Sequence, residues 1–392
     1  MNVGIFTDND FDKVNGVTTT LNAVLRCAPP GVRLRIYTAA PLPVEQDDYL
    51  ALRSFGMPIP FYREMSMYVP RLLEYTARAR ADGLAVIHLT TPGPVGLAAL
   101  WVAWRLKLPL VGSFHTDLAA YTSVLSGSAW LGALMREYLR WSYGRCARLL
   151  VPSEHTRALL IDARSDARKM AVWSRGVDPE LFTPARRSAA LRERWHASDR
   201  RPVLLYVGRL SSEKGLALLP PLRDRLYALG IEHQLVIVGQ GPMLAQLRRD
   251  LPDAVFTGVL SREAVAEVFA SADLFVFPSR TDTAGNVVLE AQASGLGVVV
   301  ASDGGPREHI VAGRTGAVCF SDDPVEWARA IAALLTRPDR ASVAAAAREY
   351  ALTRRWEDAL QPLYDAYRAV AAETATSEPP LAAPLPIRNV EP

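Results

Sequence analysis

The sequence predicts an α/β protein made of two doubly wound, Rossmann-like domains. Three observations carry that prediction. The chain has 392 residues, which is enough for two domains of ordinary size. Short aliphatic or β-branched runs alternate with helical patterns, as buried parallel strands do when helices cover both faces of their sheet. The alternation occurs twice, and the two runs are separated by the stretch Gly176 to Pro202, which carries Pro179, Pro184 and a charged helical piece, Ser188–His196.

In the first run, strands are expected at Asn2–Thr7, Leu34–Tyr37, Ala85–Leu89, Leu108–Ser113 and Leu149–Pro152, with a helix from about Thr18 after a glycine-bearing loop. In the second run they are expected at Val203–Val207, Gln234–Gly239, Ala254–Thr257, Asp273–Pro278 and Gly297–Ala301. Such alternation builds parallel sheets. The expected division is residues 1–180 for the first domain and 181–355 for the second. A last helix over 356–372 is expected to pack back on the first domain. Residues 373–392, rich in proline and without periodicity, are expected to form a disordered tail.

Composition narrows the function. The net charge is +3 with 22% charged residues, too weak a cationic excess for nucleic acid to be the main partner. The three cysteines, Cys27, Cys146 and Cys319, lie far apart and suit a reducing compartment, with neither a disulfide framework nor a metal cluster. The N-terminus MNVGIFTDND runs directly into a strand pattern, and no stretch approaches the roughly 20 apolar residues of a spanning helix. A cytoplasmic location is expected.

The chemistry concentrates in loops that follow strands, where α/β sheets bind ligands. Only four lysines stand beside forty arginines. One of them, Lys214, lies in Gly208-Arg209-Leu210-Ser211-Ser212-Glu213-Lys214-Gly215, between a strand and a helix start. Arg209 offers a planar fork and Lys214 a compact charge; together with a helix N-terminus they suit a diphosphate. The loop Pro278 to Ala291 carries Asp282 and Glu290 with seven residues between them. Carboxylates so placed can face one cleft and accept bonds from sugar hydroxyls, while the N–H groups of Gly285 and Asn286 open the helix. The alternative, a capped helix start with a surface glutamate, has the same spacing. His115 in Ser113-Phe114-His115-Thr116-Asp117 is either a hydrogen-bond donor to a ligand or part of a cap made by Thr116 or Asp117. In the first loop, Gly16 opens a helix. Asp8-Asn9-Asp10 looks like a metal motif, but its place directly after the first strand favours loop capping. Gly239-Gln240-Gly241 leads into Pro242 and lacks the glycine spacing of a dinucleotide site.

In their order and spacing these segments resemble the retaining glycosyltransferase family 4. The pieces are Asn15-Gly16-Val17, Phe114-His115-Thr116-Asp117, Arg175-Gly176-Val177-Asp178, Val207 to Gly215, Val238 to Pro242, Phe256 to Leu260 and Ala272 to Ala301. Among family members, the forms at 114–117, 175–178 and 285–291 look closest to enzymes placing mannose, glucose or sulfoquinovose on lipid acceptors. The resemblance implies a GT-B fold, two Rossmann-like domains facing across a cleft. It implies a nucleotide-sugar donor, GDP-mannose or a UDP-hexose, and a lipid or lipid-linked acceptor, with no cofactor and no metal. Arg209 and Lys214 would neutralise the donor diphosphate. Glu290 would bind the ribose and Asp282 the sugar, with Gly285, Asn286 and Val287 offering backbone amides. Gly16 would lie under the phosphates, and Gly258 would border the base. Asp12, Asn15 and His115 would face the acceptor, His115 also meeting the sugar. Three positions depart from the family pattern. Asp282 replaces a glutamate, Ala284 replaces an aromatic residue, and Asn15-Gly16 replaces paired glycines.

Residues 129–149 combine Trp130, Tyr138, Trp141 and Tyr143 with Arg136, Arg140, Arg145 and Arg148. This is either an amphipathic surface for an anionic membrane or a domain helix with one buried stripe. Two other functions are compatible with the fold: epimerase-like processing of a nucleotide sugar, and non-catalytic binding of one. A phosphorylase is disfavoured because no lysine follows Lys214.

Overall fold

The computed structural model describes residues 1–11, 15–40, 47–52, 54–59 and 62–377. Two parallel sheets organise it. The first contains β1 (Asn2–Phe6), β2 (Arg33–Thr38), β3 (Tyr49–Ala51), β6 (Val86–Leu89), β7 (Leu110–Ser113), β8 (Arg148–Val151) and β9 (Met170–Val172), in the order β3-β2-β1-β6-β7-β8-β9. A separate antiparallel hairpin joins β4 (Gly56–Ile59) and β5 (Tyr62–Tyr68). The second sheet contains β10 (Val203–Val207), β11 (Gln234–Val238), β12 (Val255–Gly258), β13 (Leu274–Phe277), β14 (Gly297–Ala301) and β15 (Gly316–Cys319), in the order β12-β11-β10-β13-β14-β15. Strand order reverses between β1 and β6 and again between β10 and β13. Loops diverge at such points and leave a crevice.

Each predicted strand is present within a residue or two. β3, the hairpin, β9 and β15 are additional; the edge members β3 and β9 are three residues long and only partly buried, so they lack the aliphatic run that reveals a central strand. β10, β11 and β14 are buried at every position, as two-sided helix cover requires.

Three apolar clusters hold the fold. One fills the second unit around Leu205, Ile237, Phe275 and Val299. The other two lie on opposite faces of the first sheet. On one of these faces Val3, Ile5, Val111, Leu150 and Trp173 pack against Trp356, Leu360, Leu363, Tyr364 and Tyr367 from the end of the chain. The chain crosses back where Val177 N donates to Arg354 O at 2.8 Å. Gly176 is required there, since a Cβ would sit 2.5 Å from Trp356 Cα. The final helix differs from expectation in two ways. It is split into Trp356–Ala359 and Gln361–Ser377, because Pro362 supplies no N–H for a continuous helix and suits a first turn instead. It also runs to Ser377, so 373–377 are helical, and residues 378–392 of the expected tail lie outside the described residues.

Candidate active site

The site candidates follow β1, β7, β10 and β13, beside both crevices. After β10 the backbone turns at Gly208, and a Cβ on Gly239 would stand 1.9 Å from the Gly208 carbonyl oxygen. The α-helix does not start at once, as the sequence suggests. Lys214 lies in a 3₁₀ turn, Ser212–Lys214, and the helix begins at Leu219. Pro242 likewise precedes its helix, which opens at Leu244. Gly215 has φ +71°, and a Cβ there would meet the Pro278 carbonyl oxygen at 2.6 Å, so the two loops touch.

That contact brings Lys214 Nζ within 2.9 Å of Asp282 Oδ2. Asp282 Oδ1 accepts from Ala284 N at 3.1 Å and Gly285 N at 2.8 Å. Burial disfavours both charges. The facing Asp282 carboxylate, with Tyr121 and Tyr206, outweighs it and holds the Lys214 ammonium above its ordinary value; Lys214 and the two N–H donors hold the Asp282 carboxyl below its own. Burial lowers Arg209, against the opposing pull of Glu213. Gly285 has φ +77° and caps the helix Asn286–Ala293. Val287 is partly buried at its start, and Glu290 lies one turn in. Burial pushes Glu290 up to about 7, opposed by Arg262, whose Nη1 is 3.7 Å from Glu290 Oε1. Gly258, at the end of β12, has φ +74° and open space where a Cβ would point.

The first unit faces these groups. Asn286 Nδ2 reaches Gly16 O at 3.5 Å, and Asn286 Oδ1 is buried with no partner among the described residues. Arg262 Nη1 donates to Thr19 Oγ1 at 3.2 Å. Thr283 Oγ1 donates to the His115 carbonyl at 2.6 Å. Gly16, His115, Asp282, Asn286 and Glu290 therefore lie on loops and helix starts that meet across the two sheets. Asn15 is an N-cap, its Oδ1 accepting from Val17 N and Thr18 N, each at 2.9 Å. Asp8 holds another helix start, accepting from Val95 N at 2.7 Å and Gly96 N at 3.2 Å. Asp117 caps its own helix through Ala120 N. Asp12 lies outside the described residues. Among the described residues no three His, Cys, Asp or Glu side chains group to hold a metal ion.

His115 is buried at one end of a chain of short contacts. Its Nε2 is 2.8 Å from Ser113 Oγ, which is 2.7 Å from His88 Nε2, and His88 Nδ1 is 2.6 Å from the Tyr367 hydroxyl. The His115 ring stands edge-on to Trp173, with centroids 5.7 Å apart, and Arg175 stacks on the same indole at 4.6 Å. Arg175 is 2% exposed, and burial lowers it to about 9, against Asp282. Sequence reasoning quoted Arg175 within a motif and gave it no role; it gave none to Tyr121, Arg262 or His88 either. Arg175 alone carried a signal, an arginine directly before Gly176, where Val177 bridges to Arg355.

Two facing Rossmann-like domains, the second carrying cations and carboxylates on loops beside the first, are the arrangement of the GT-B glycosyltransferases. Residues 14–181 match the family described as Glycosyltransferase Family 4, and residues 201–337 match Glycosyl transferases group 1. The chain is 32% identical over 386 residues to a GDP-mannose-dependent alpha-mannosyltransferase of Corynebacterium glutamicum, covering 95% of this chain and 90% of that one. It is 34% identical to sulfoquinovosyl transferase SQD2 of Arabidopsis thaliana, over 78% of this chain and 60% of that one. It is 26% identical to alpha-monoglucosyldiacylglycerol synthase of Streptococcus pneumoniae, over 86% and 79%. Sucrose-phosphate synthase from Thermosynechococcus elongatus shares the fold with a TM-score of 0.76 at 20% identity, over 95% of this chain and 99% of that one. The chain belongs to glycosyltransferase family 4.

Proposed function

We propose that this enzyme is a retaining hexosyltransferase that moves a hexose from a nucleotide sugar to a lipid or lipid-linked acceptor. The observation that carries the reading is the 2.9 Å pairing of Lys214 with Asp282 between the segments that follow β10 and β13; those segments also carry Arg209 and Glu290, and the second touches the Gly16 and His115 segments of the first domain. Breaking the anomeric C–O bond leaves charge on the nucleotide diphosphate. Arg209 and Lys214 are fixed cations aimed at that charge, the kind of preorganised partner that lowers a barrier most. Glu290 takes the ribose hydroxyls and Gly258 leaves room beside it for the base. The N–H groups of Gly285, Asn286 and Val287 face the sugar or phosphate, and Asn286 Oδ1 is a buried acceptor beside them with no donor among the described residues. The acceptor oxygen forms its bond to the anomeric carbon on the face the phosphate leaves, and the departing phosphate oxygen takes the acceptor proton.

The Asp282 departure changes the sugar subsite. Its shorter side chain is drawn to Lys214 and to the loop N–H groups, so it orders the cation as well as meeting the sugar. Asn15, committed to its cap, serves the acceptor loop by shaping it. The names of two relatives, one using GDP-mannose and one making a glucosyl diacylglycerol, favour GDP-mannose as the first donor to test and diacylglycerol-type acceptors as the first class. A thermal-shift panel with GDP, UDP, ADP and their sugar conjugates tests the donor. A ligand at a hundred times its Kd stabilises by about 2.7 kcal/mol. A shift with one nucleotide series names the donor; no shift with any removes the nucleotide-sugar reading.

A further inference from the structure

The four buried groups behind His115 form a single hydrogen-bonded chain, and its direction follows from counting protons. Tyr367, His88 and Ser113 are fully buried and His115 is 8% exposed. Burial lowers His88 to about 3 and His115 well below its ordinary value, so both imidazoles are neutral and each carries one N–H. Burial holds the Tyr367 phenol protonated. Each hydroxyl and each ring therefore has one hydrogen to give, and the chain must run one way.

If it ran from His115 outward, the Tyr367 O–H would be the last donor. It has no acceptor other than His88 among the described residues, and a buried hydroxyl hydrogen without an acceptor is costly. In the opposite direction every hydrogen inside the chain is used, and the one left over lies not on the fully buried Tyr367 but on His115, the member that is not fully buried. Tyr367 O–H donates to His88 Nδ1, His88 Nε2–H to Ser113 Oγ, and Ser113 O–H to His115 Nε2. The remaining donor is then His115 Nδ1–H, at the end of the chain that belongs to the cleft. The His115 backbone is held in place by Thr283 Oγ1 from the other domain, and Trp173 backs the ring.

We propose that Tyr367 is a positioning residue: through His88 and Ser113 it fixes His115 as the Nδ1–H tautomer, so that the cleft presents a hydrogen-bond donor to the bound sugar. The inference rests on the reading that His115 meets the donor sugar, and it makes the last helix of the chain part of the site. A hydroxyl or ring oxygen of the sugar accepts from Nδ1–H; a neutral imidazole of the other tautomer would offer only a lone pair there. Partners that set the tautomer of a metal-bound histidine are worth about 10–100-fold in activity, and a loss at the lower end of that range is expected for His115.

The test is 15N NMR of the full chain labelled at its six histidines, together with donor kinetics. Wild type is expected to show His115 protonated at Nδ1 and His88 at Nε2. Tyr367→Phe keeps the ring, and retained fold is checked by melting. It is expected to mix the His115 tautomers and lower kcat about tenfold, with donor KM nearly unchanged. Ser113→Ala is expected to give a similar loss, and the double variant no more than either alone, because both interrupt one chain. A His115 protonated at Nε2 in wild type overturns the proposal, as do additive losses in the double variant. If Tyr367→Phe shifts the tautomer without touching turnover, while His115→Ala is also harmless, the assignment of His115 to the sugar falls and the proposal with it. A harmful His115→Ala beside a silent Tyr367→Phe overturns the positioning role alone.

Discussion

At the scale of single residues, the 2.9 Å pairing of Lys214 with Asp282 is both structural and chemical. Asp282 is held below its ordinary value, so its stabilisation is present above the unfolded value of 3.8 and lost as pH falls through the folded one. Lys214 is held above its ordinary value, so its share is present below 10.5 and lost as pH rises through the folded one. Lys214→Ala should slow turnover by the roughly 2–4 kcal/mol of a lost charge partner, measured as kcat with the nucleotide sugar on protein of unchanged circular dichroism. It should also lower Tm at pH 7, and it should lose less on acidification to pH 3 than wild type does, since Asp282 no longer has a cation to lose. Glu290 behaves oppositely. Its pKa is raised from 4.5 to about 7, so the folded state binds the extra proton and stability declines as pH rises through that interval. Glu290→Gln should therefore raise Tm at pH 8 and change it much less at pH 5, while weakening nucleotide binding. The types and spacing of these side chains were legible in the sequence. That Asp282 divides its oxygens between a lysine and a loop was not, because the pairing joins residues 68 apart in sequence.

At the scale of elements, the loops carrying the site were legible because each follows a central strand whose apolar run is unambiguous, such as Val203–Val207 or Leu274–Phe277. The edge strands were not, because a three-residue piece such as Met170–Val172 carries no pattern of its own. The helix start placed directly after Gly208–Gly215 was displaced by 3₁₀ turns that the close approach of Gly215 to Pro278 imposes. A tighter approach occurs at Gly176, where the returning chain passes. Gly176→Ala puts a methyl group 2.5 Å from backbone, not from a side chain that could rotate. It should destabilise by about 1–3 kcal/mol, read as a lower denaturant midpoint, with the nucleotide site itself untouched. Across the domains, Glu308 accepts from Glu154 N at 3.0 Å and His155 N at 2.7 Å. One domain thus supplies a carboxylate to the free N–H groups that open a helix of the other.

At the scale of the whole molecule, the first domain exposes several aromatic and basic side chains. Trp104 and Trp130 are 69% and 70% exposed, and Arg136, Arg140 and Arg145 are exposed nearby in sequence. Among the described residues no helix is long and apolar enough to cross a membrane. The helix Ala129–Tyr143 buries Leu139 and Tyr143 while exposing Trp130 and Trp141, so the buried stripe of a domain helix is present and the membrane surface is a proposal for the face left exposed. Flotation with vesicles containing anionic lipid at low salt should carry the protein up, and Trp104→Ala with Trp130→Ala should abolish this without lowering Tm; binding indifferent to these changes would remove the membrane surface. The contacts between domains, Thr283 to His115 and Asn286 to Gly16, were beyond the reach of local pattern because more than 160 residues separate each pair. The cover on the first sheet has the same character, and it has a consequence during synthesis. Val3, Ile5, Val111, Leu150 and Trp173 leave the ribosome long before Leu363, Tyr364 and Tyr367, which cover them. At about 5–20 residues per second, the earlier half waits roughly 10–40 s with one apolar face open. A nascent chain is expected to need chaperone cover until the helix Gln361–Ser377 emerges, and a stop codon before that helix is expected to yield an aggregating fragment in place of a shorter enzyme.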